Sequence, residues 1–187
     1  MRLFTAIDLP APVLQRLERL LCALRSEALI KWCPVDNLHI TTKFIGEWPE
    51  KRLDEITSAL AGIHTSPFSI ELKQLGWLPN EKCPHVLCLG VHGGSAVHEL
   101  ARRTDECLRE LGVPAETREF SPHITLARIK NPVPLGRLRR RVAELQPANL
   151  GSISVETFSL FKSEPGSNAS VYRKLFEFRL EAAMAAP

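Results

Sequence analysis

His39-Ile40-Thr41-Thr42 is met again as His123-Ile124-Thr125-Leu126, and this repeated phrase organises the whole chain. Each copy reads His-x-Thr inside a run of β-formers. Successive side chains of a strand point to opposite faces, so residues two apart share one. His39 and Thr41 are therefore expected to project together, as are His123 and Thr125. Two such strands side by side would bring two imidazoles and two hydroxyls to one point. That set can hold an anion and move a proton on either side of it.

Working outward, the flanking segments alternate between the two regular periods. Arg2 to Leu9 reads as a strand stopped by Pro10. Val13, Leu14, Leu17, Leu20, Leu21 and Leu24 then recur at helical spacing over about 11 to 26. The first motif strand is closed by Gly46 and Pro49, and Leu53, Ile56, Leu60 and Ile63 predict a second helix. Strands are predicted near 67 to 76 and 85 to 91. A third helix, carrying Val97, Leu100, Thr104 and Leu108, is stopped by Gly112 and Pro114. The second motif strand covers about Pro122 to Lys130. Leu135, Leu138, Val142 and Leu145 mark a fourth helix with four arginines, read as a solvated face with RNA steering as the alternative. Two last strands, near 152 to 162 and 171 to 180, flank a turn-rich loop, Ser163 to Asn168.

The element order looks like a diverged internal duplication with one motif in each half. The expected fold class is α+β: a single domain over 1–187, with two pseudo-symmetric lobes. Each lobe is expected to hold an antiparallel sheet with flanking helices, and a central cleft to lie between them.

The bulk composition is that of a globular protein. There are 24 Lys and Arg against 21 Asp and Glu, a net charge of +3, which is too mild to announce nucleic-acid binding by itself. No run is long enough to span a bilayer, and the N-terminus lacks the apolar core of a signal peptide. Five scattered cysteines without C-x-x-C pairs suit a reducing cytoplasm. In Cys83-Pro84-His85-Val86-Leu87-Cys88, strand parity separates Cys88 from Cys83 and His85, so no metal site is expected there. A G-x-S-x-G elbow, a Walker loop and H-E-x-x-H are all absent from the sequence.

The paired motifs, 84 positions apart (123 − 39), resemble those of the two-histidine phosphoesterase superfamily. More narrowly, the chain resembles the RNA 2',3'-cyclic phosphodiesterases, also called 2'-5' RNA ligases. The likeness rests on Arg2-Leu3-Phe4-Thr5-Ala6-Ile7, on Asn37 to Gly46, on Phe120-Ser121-Pro122-His123-Ile124-Thr125-Leu126-Ala127-Arg128, and on Tyr172 in the tail. It implies a bilobal fold with the motif side chains lining the cleft. It also implies metal-independent, cofactor-free opening of RNA 2',3'-cyclic phosphate ends to 2'-phosphates, with 2'-5' joining of tRNA fragments as a possible reverse reaction.

By the same resemblance His39 is the proton donor and His123 the proton acceptor; the near-symmetric motifs alone leave the two roles interchangeable. Histidine suits both because it titrates near neutrality. Thr41 and Thr125 are candidate donors to the non-bridging phosphate oxygens. Arg128 is expected to contact phosphate, although strict alternation puts it on the face opposite His123. Lys43 shares parity with His39 and Thr41 and is a candidate substrate-binding residue, while Phe44 reads as core. Trp32, Trp48, Trp77 and Tyr172 are candidate base-stacking surfaces, with partial core burial the bland alternative. The expected partners are RNA 3'-ends or tRNA fragments, with no membrane and no obligate protein partner; a monomer is expected because the cleft lies within one chain. Two rivals remain: a non-catalytic module that binds nucleotides or RNA ends in the same cleft, and a hydrolase of some other small cyclic phosphodiester.

Overall fold

The computed structural model describes residues 1–167 and 169–182. Four helices form where the apolar spacing predicts them. In α1 (Ala11–Arg25), Pro12 sits in the first turn, where its missing N–H costs nothing, and Val13, Leu17, Leu21 and Leu24 are buried along one stripe. α2 (Leu53–Ala61) buries Ile56 and Leu60, and α3 (Gly94–Glu110) buries Val97, Leu100, Ala101, Thr104 and Leu108. α4 (Gly136–Glu144) buries Leu138 and Val142 and points its arginines outward, where Arg137 and Arg141 pair with Glu27 and Glu144. Each fully buried leucine stabilises the fold by about 1.5–3 kcal/mol relative to exposure.

The strands are β1 (Arg2–Ile7), β2 (Lys31–Trp32), β3 (Ile40–Glu47), β4 (Phe68–Leu78), β5 (Val86–His92), β6 (His123–Arg128), β7 (Asn149–Val155), β8 (Thr157–Glu164) and β9 (Val171–Arg179). They run in the order β7-β4-β5-β6-β3-β1-β8-β9, with β2 also paired to β6, and the pairings are antiparallel throughout. The two motif strands meet at one residue pair, Ile40 opposite Ile124. That seam divides the sheet into β3-β1-β8-β9 on one side and β7-β4-β5-β6, with β2 added to β6, on the other, the bilobal α+β arrangement expected from the sequence.

Each half-sheet draws on both halves of the chain. The first motif strand, β3, sits beside β1, which in turn pairs with the late strand β8. The second motif strand, β6, sits beside the early strand β5, which in turn pairs with the early strand β4. The helices cross over as well: α3, which joins two strands of the second lobe, packs against β3 and α2 of the first. The single strand predicted near 152 to 162 is two strands, broken at Glu156, because β7 pairs with β4 and β8 with β1 on opposite sides of the molecule.

Both motif strands carry the same irregularity. Thr5 lies opposite Lys43 and Ala6 opposite Thr41, which leaves Thr42 as an extra residue. In the other lobe Leu87 lies opposite Ala127 and Cys88 opposite Thr125, which leaves Leu126 extra. A one-residue bulge reverses the faces beyond it. Residues 40–44 and 124–128 accordingly share one burial pattern: buried, half-buried, buried, buried, exposed.

Candidate active site

Each motif histidine is pinned by one ring nitrogen. His39 Nδ1 donates to the Asn37 carbonyl at 2.8 Å, and His123 Nδ1 donates to the Ser121 carbonyl at 2.7 Å. A carbonyl only accepts, so each Nδ1 carries hydrogen and each Nε2 is left for chemistry. Both anchors come from the residue two positions upstream, so the duplicated sequence builds the same support twice. Thr41 Oγ1 lies 3.0 Å from His39 Nε2, and Thr125 is half-buried on the corresponding face of β6.

Burial holds the His39 imidazole below its ordinary pKa. The Asn37 carbonyl and the Asp8 carboxylate act against that, while Arg128 and His123 add to it as nearby positive charge. These influences place His39, His123, Arg128 and Asp8 in one electrostatic neighbourhood.

Arg128 is exposed, and the bulge at Leu126 explains how it regains the face of His123 and Thr125 that simple alternation denied it. Among the described residues Arg128 forms no ion pair.

The matching bulge overturns two expectations. Lys43 does not face the cleft: it is 5% exposed, and its Nζ bonds Asp105 Oδ1 at 2.5 Å and the Pro114 carbonyl at 2.8 Å. Phe44 is not core: it is 57% exposed on the face of His39 and Thr41. The extra residue Thr42 turns Lys43 inward and Phe44 outward.

Of the four ring candidates only Tyr172 lies at the site, 5.2 Å edge-on from His39. Trp48 is buried, donating to the Arg52 carbonyl beneath that residue's guanidinium. Trp32 and Trp77 pack partly buried against the core. Phe4 and Phe161 join Tyr172 in a small cluster on the cleft face, with Phe4 stacked on Phe161 at 5.2 Å and 4.9 Å from His39. Phe44 extends it at 6.2 Å from Phe4. Phe4 and Asp8 were readable in principle, since they share parity in the first strand, but nothing in the sequence marked that face. Asp8 is held by Ser159 Oγ at 2.7 Å and Lys174 Nζ at 3.0 Å.

On the His123 side an open cavity of about 1190 Å³ is floored by Gly76, Cys88 and Gly90 and bordered by His92, His98 and Ser121. The Cys88 thiol there is pushed up to about 11 by burial. His98 packs edge-on against Phe120 at 5.5 Å. The tail loop reaches the first motif through Asn37 Nδ2, which donates to the Ser170 carbonyl at 2.6 Å; Asn168 of that loop lies outside the described residues. Among the described residues no group of three or more His, Cys, Asp or Glu is placed to hold a metal ion, and no helix is long and apolar enough to cross a membrane.

The family model of LigT-like phosphoesterases matches residues 7–88 and 91–172. The second range is displaced from the first by 84 positions (91 − 7), the spacing of the two histidines. A protein of Methanocaldococcus jannaschii named RNA 2',3'-cyclic phosphodiesterase is 32% identical over 178 residues, covering 95% of this chain and all of the relative. One of the same name from Aeropyrum pernix is 38% identical over 147 residues, covering 77% of this chain and 82% of the relative. A solved structure from Thermus thermophilus superposes with a TM-score of 0.82 at 31% identity, covering 97% of this chain and 99% of the other. E. coli LigT complexed with 3'-AMP gives a TM-score of 0.76 at 25% identity, covering 96% and 97%. The duplicated, bulged motif strands and these matches agree: the chain belongs to the LigT-like phosphoesterase family.

Proposed function

We propose that this protein hydrolyses 2',3'-cyclic phosphate ends of RNA or nucleotides to 2'-phosphates by acid–base catalysis between two histidines, without a metal. The observation that carries the reading is the pair of equivalently pinned imidazoles, each with Nδ1 held by a backbone carbonyl and a threonine two residues on. The relatives named for this activity support it.

In the proposed step the cyclic phosphate sits between Thr41 and Thr125, with Arg128 matching its charge. Water attacks phosphorus and its proton passes to His123 Nε2. The P–O3' bond breaks, and His39 Nε2 gives its proton to the departing 3'-oxygen, leaving a 2'-phosphate. Replacing water with the 5'-hydroxyl of a second RNA gives a 2'-5' linkage by the same proton transfers, so ligation needs no further group.

In the free protein burial favours neutral His39. Its role as proton donor therefore calls for the phosphate's negative charge, which favours the imidazolium. Phe44 and Tyr172 offer ring faces for a base on one side. The open cavity beside His123 leaves room for the rest of an RNA chain, which supports an RNA end over a lone cyclic mononucleotide. Completion of the site within one chain supports a monomer, and five free cysteines support a reducing cytoplasm.

The test is a short RNA ending in a 2',3'-cyclic phosphate, incubated with EDTA and wild type, His39→Ala or His123→Ala protein. Conversion to a 2'-phosphate by wild type, lowered about 10²–10⁴-fold in each variant, is expected. Tight binding of that RNA without turnover would establish the binding-module alternative instead.

A further inference from the structure

The residue that left the cleft defines a second device. Lys43 Nζ reaches from β3 to Asp105 of α3 and to the Pro114 carbonyl, while Asp105 Oδ1 also accepts the backbone N–H of Glu116 at 2.9 Å. Beside this knot Thr5 and Thr42 share a 2.7 Å hydroxyl bond. One buried ammonium thus ties three things together: the strand of the first motif, the helix α3, and the start of the 113–122 segment. That segment ends at Ser121, whose carbonyl pins His123, and at Pro122, whose carbonyl accepts from Val91.

The opposite lobe shows what the fold alone requires. The repeat offset of 84 puts Ala127 where Lys43 is and Leu21 where Asp105 is, and both are fully buried. Leu126 likewise stands for Thr42, and the register puts Leu87 where Thr5 is. At the corresponding positions of the repeat the chain therefore carries only buried apolar side chains. Burying an ion pair costs desolvation that an apolar pair does not, so such pairs are weak contributors to stability. The seam between the motif strands is a single residue pair, which leaves their relative placement weakly specified by the sheet itself.

We infer that Lys43 and Asp105 are positioning residues: their pair, a buried ammonium on a partly exposed carboxylate, holds the segment entering the second motif against the first motif strand and so fixes His123 relative to His39. The inference rests on the two-histidine reading of the site. It assigns no contact with substrate to either residue.

The test copies the apolar lobe onto the ionic one. Lys43→Ala combined with Asp105→Leu places at these two positions the side chains that the other repeat carries at Ala127 and Leu21, and is expected to fold with an unreduced Tm. Amide hydrogen exchange at residues 113–121 should accelerate by about tenfold or more, and the His123 ring ¹⁵N signals should shift. On the cyclic-phosphate RNA, kcat should fall by about 10²-fold, the scale of a misplaced catalytic group, with a smaller change in KM.

Wild-type exchange in the segment, or faster exchange with wild-type kcat, would overturn the inference. If the double variant does not fold, Asp105→Asn decides by the same two readouts, because it keeps an acceptor for Glu116 and weakens the hold on Lys43. The exchange measurement needs no activity. Failure of wild-type turnover would therefore count against the proposed reaction, while unchanged exchange would count against the positioning role of Lys43 and Asp105.

Discussion

Phe44 and Arg128 stand at the same place on two copies of one bulged strand: Phe44 lies opposite Phe4 across β1 and β3, and Arg128 opposite Val86 across β5 and β6. A pseudo-symmetric scaffold thus presents an aromatic face on one side of the histidines and a guanidinium on the other. An asymmetric ligand, with a ring at one end and phosphate charge at the other, can bind such a site in one sense only. Arg128→Ala should raise KM for the cyclic-phosphate RNA by roughly 10–100-fold, the worth of a hydrogen bond to a charged group, and flatten its salt dependence. Phe44→Ala should leave Tm unchanged, because the ring is exposed, and weaken binding of purine-ended more than pyrimidine-ended RNA. Steady-state kinetics over a salt series checks both.

The threonines are equivalent in sequence but not in setting. Thr41 already bonds His39 Nε2, whereas Thr125 has no such imidazole contact among the described hydrogen bonds. Thr→Val at either position removes a hydroxyl proposed to donate to the phosphate, and each should cost about 2.7–4 kcal/mol of transition-state stabilisation, read as kcat/KM. Thr41→Val should in addition move the pH profile, since it alone removes a hydrogen bond to an imidazole. Equal profiles in the two variants would contradict the asymmetry.

For pH, the direction at His39 fixes the sign. Its folded-state pKa lies below its unfolded value because burial disfavours the imidazolium. Below the unfolded value near 6.5, the unfolded chain binds the extra proton first, so this group's contribution to stability declines as pH falls toward the folded pKa. Urea unfolding from pH 7 to 5 should show a decline that His39→Gln lessens. Titration by ¹⁵N NMR should find His39 below 6.5 in the free protein, and raised when inorganic phosphate is added. A titration unmoved by phosphate would remove the account of His39 as donor.

Gly93, between β5 and α3, has no room for a methyl: a Cβ there would run into Ile70 Cγ2 and press on Val97. Gly93→Ala should destabilise the protein by about 1–3 kcal/mol, seen as a lower urea midpoint at constant slope.

Much of the fold was legible because its helices bury long apolar stripes. The His-x-Thr pairing was legible because strand parity holds over two residues. Parity failed at the next step. Nothing in Thr41-Thr42-Lys43-Phe44 or Thr125-Leu126-Ala127-Arg128 announces an extra residue, since polar, small and apolar side chains follow one another without a glycine or proline to mark the bulge. Strict alternation therefore puts Lys43 in the cleft and Phe44 in the core, each the reverse of its place. It turns Arg128 away from His123 for the same reason, and the second bulge turns it back. The partition of the last strands was also invisible, because Val155-Glu156-Thr157 reads as continuous strand while its two sides pair with partners far apart in the chain.

The interleaving of the sheets bears on how a ribosome delivers this molecule. Arg2 lies opposite Ser163, so the first motif strand and its neighbour emerge early, yet they wait for more than a hundred further residues before β8 covers the open edge of β1. The second motif's sheet receives β4 and β5 before β6 is made and closes with β7, ahead of β8. During synthesis the later motif can thus reach its native pairing first, while β1 stays an unpaired edge of the kind that invites association between nascent chains. The exposure of that one edge is set by the speed of translation through residues 48–163.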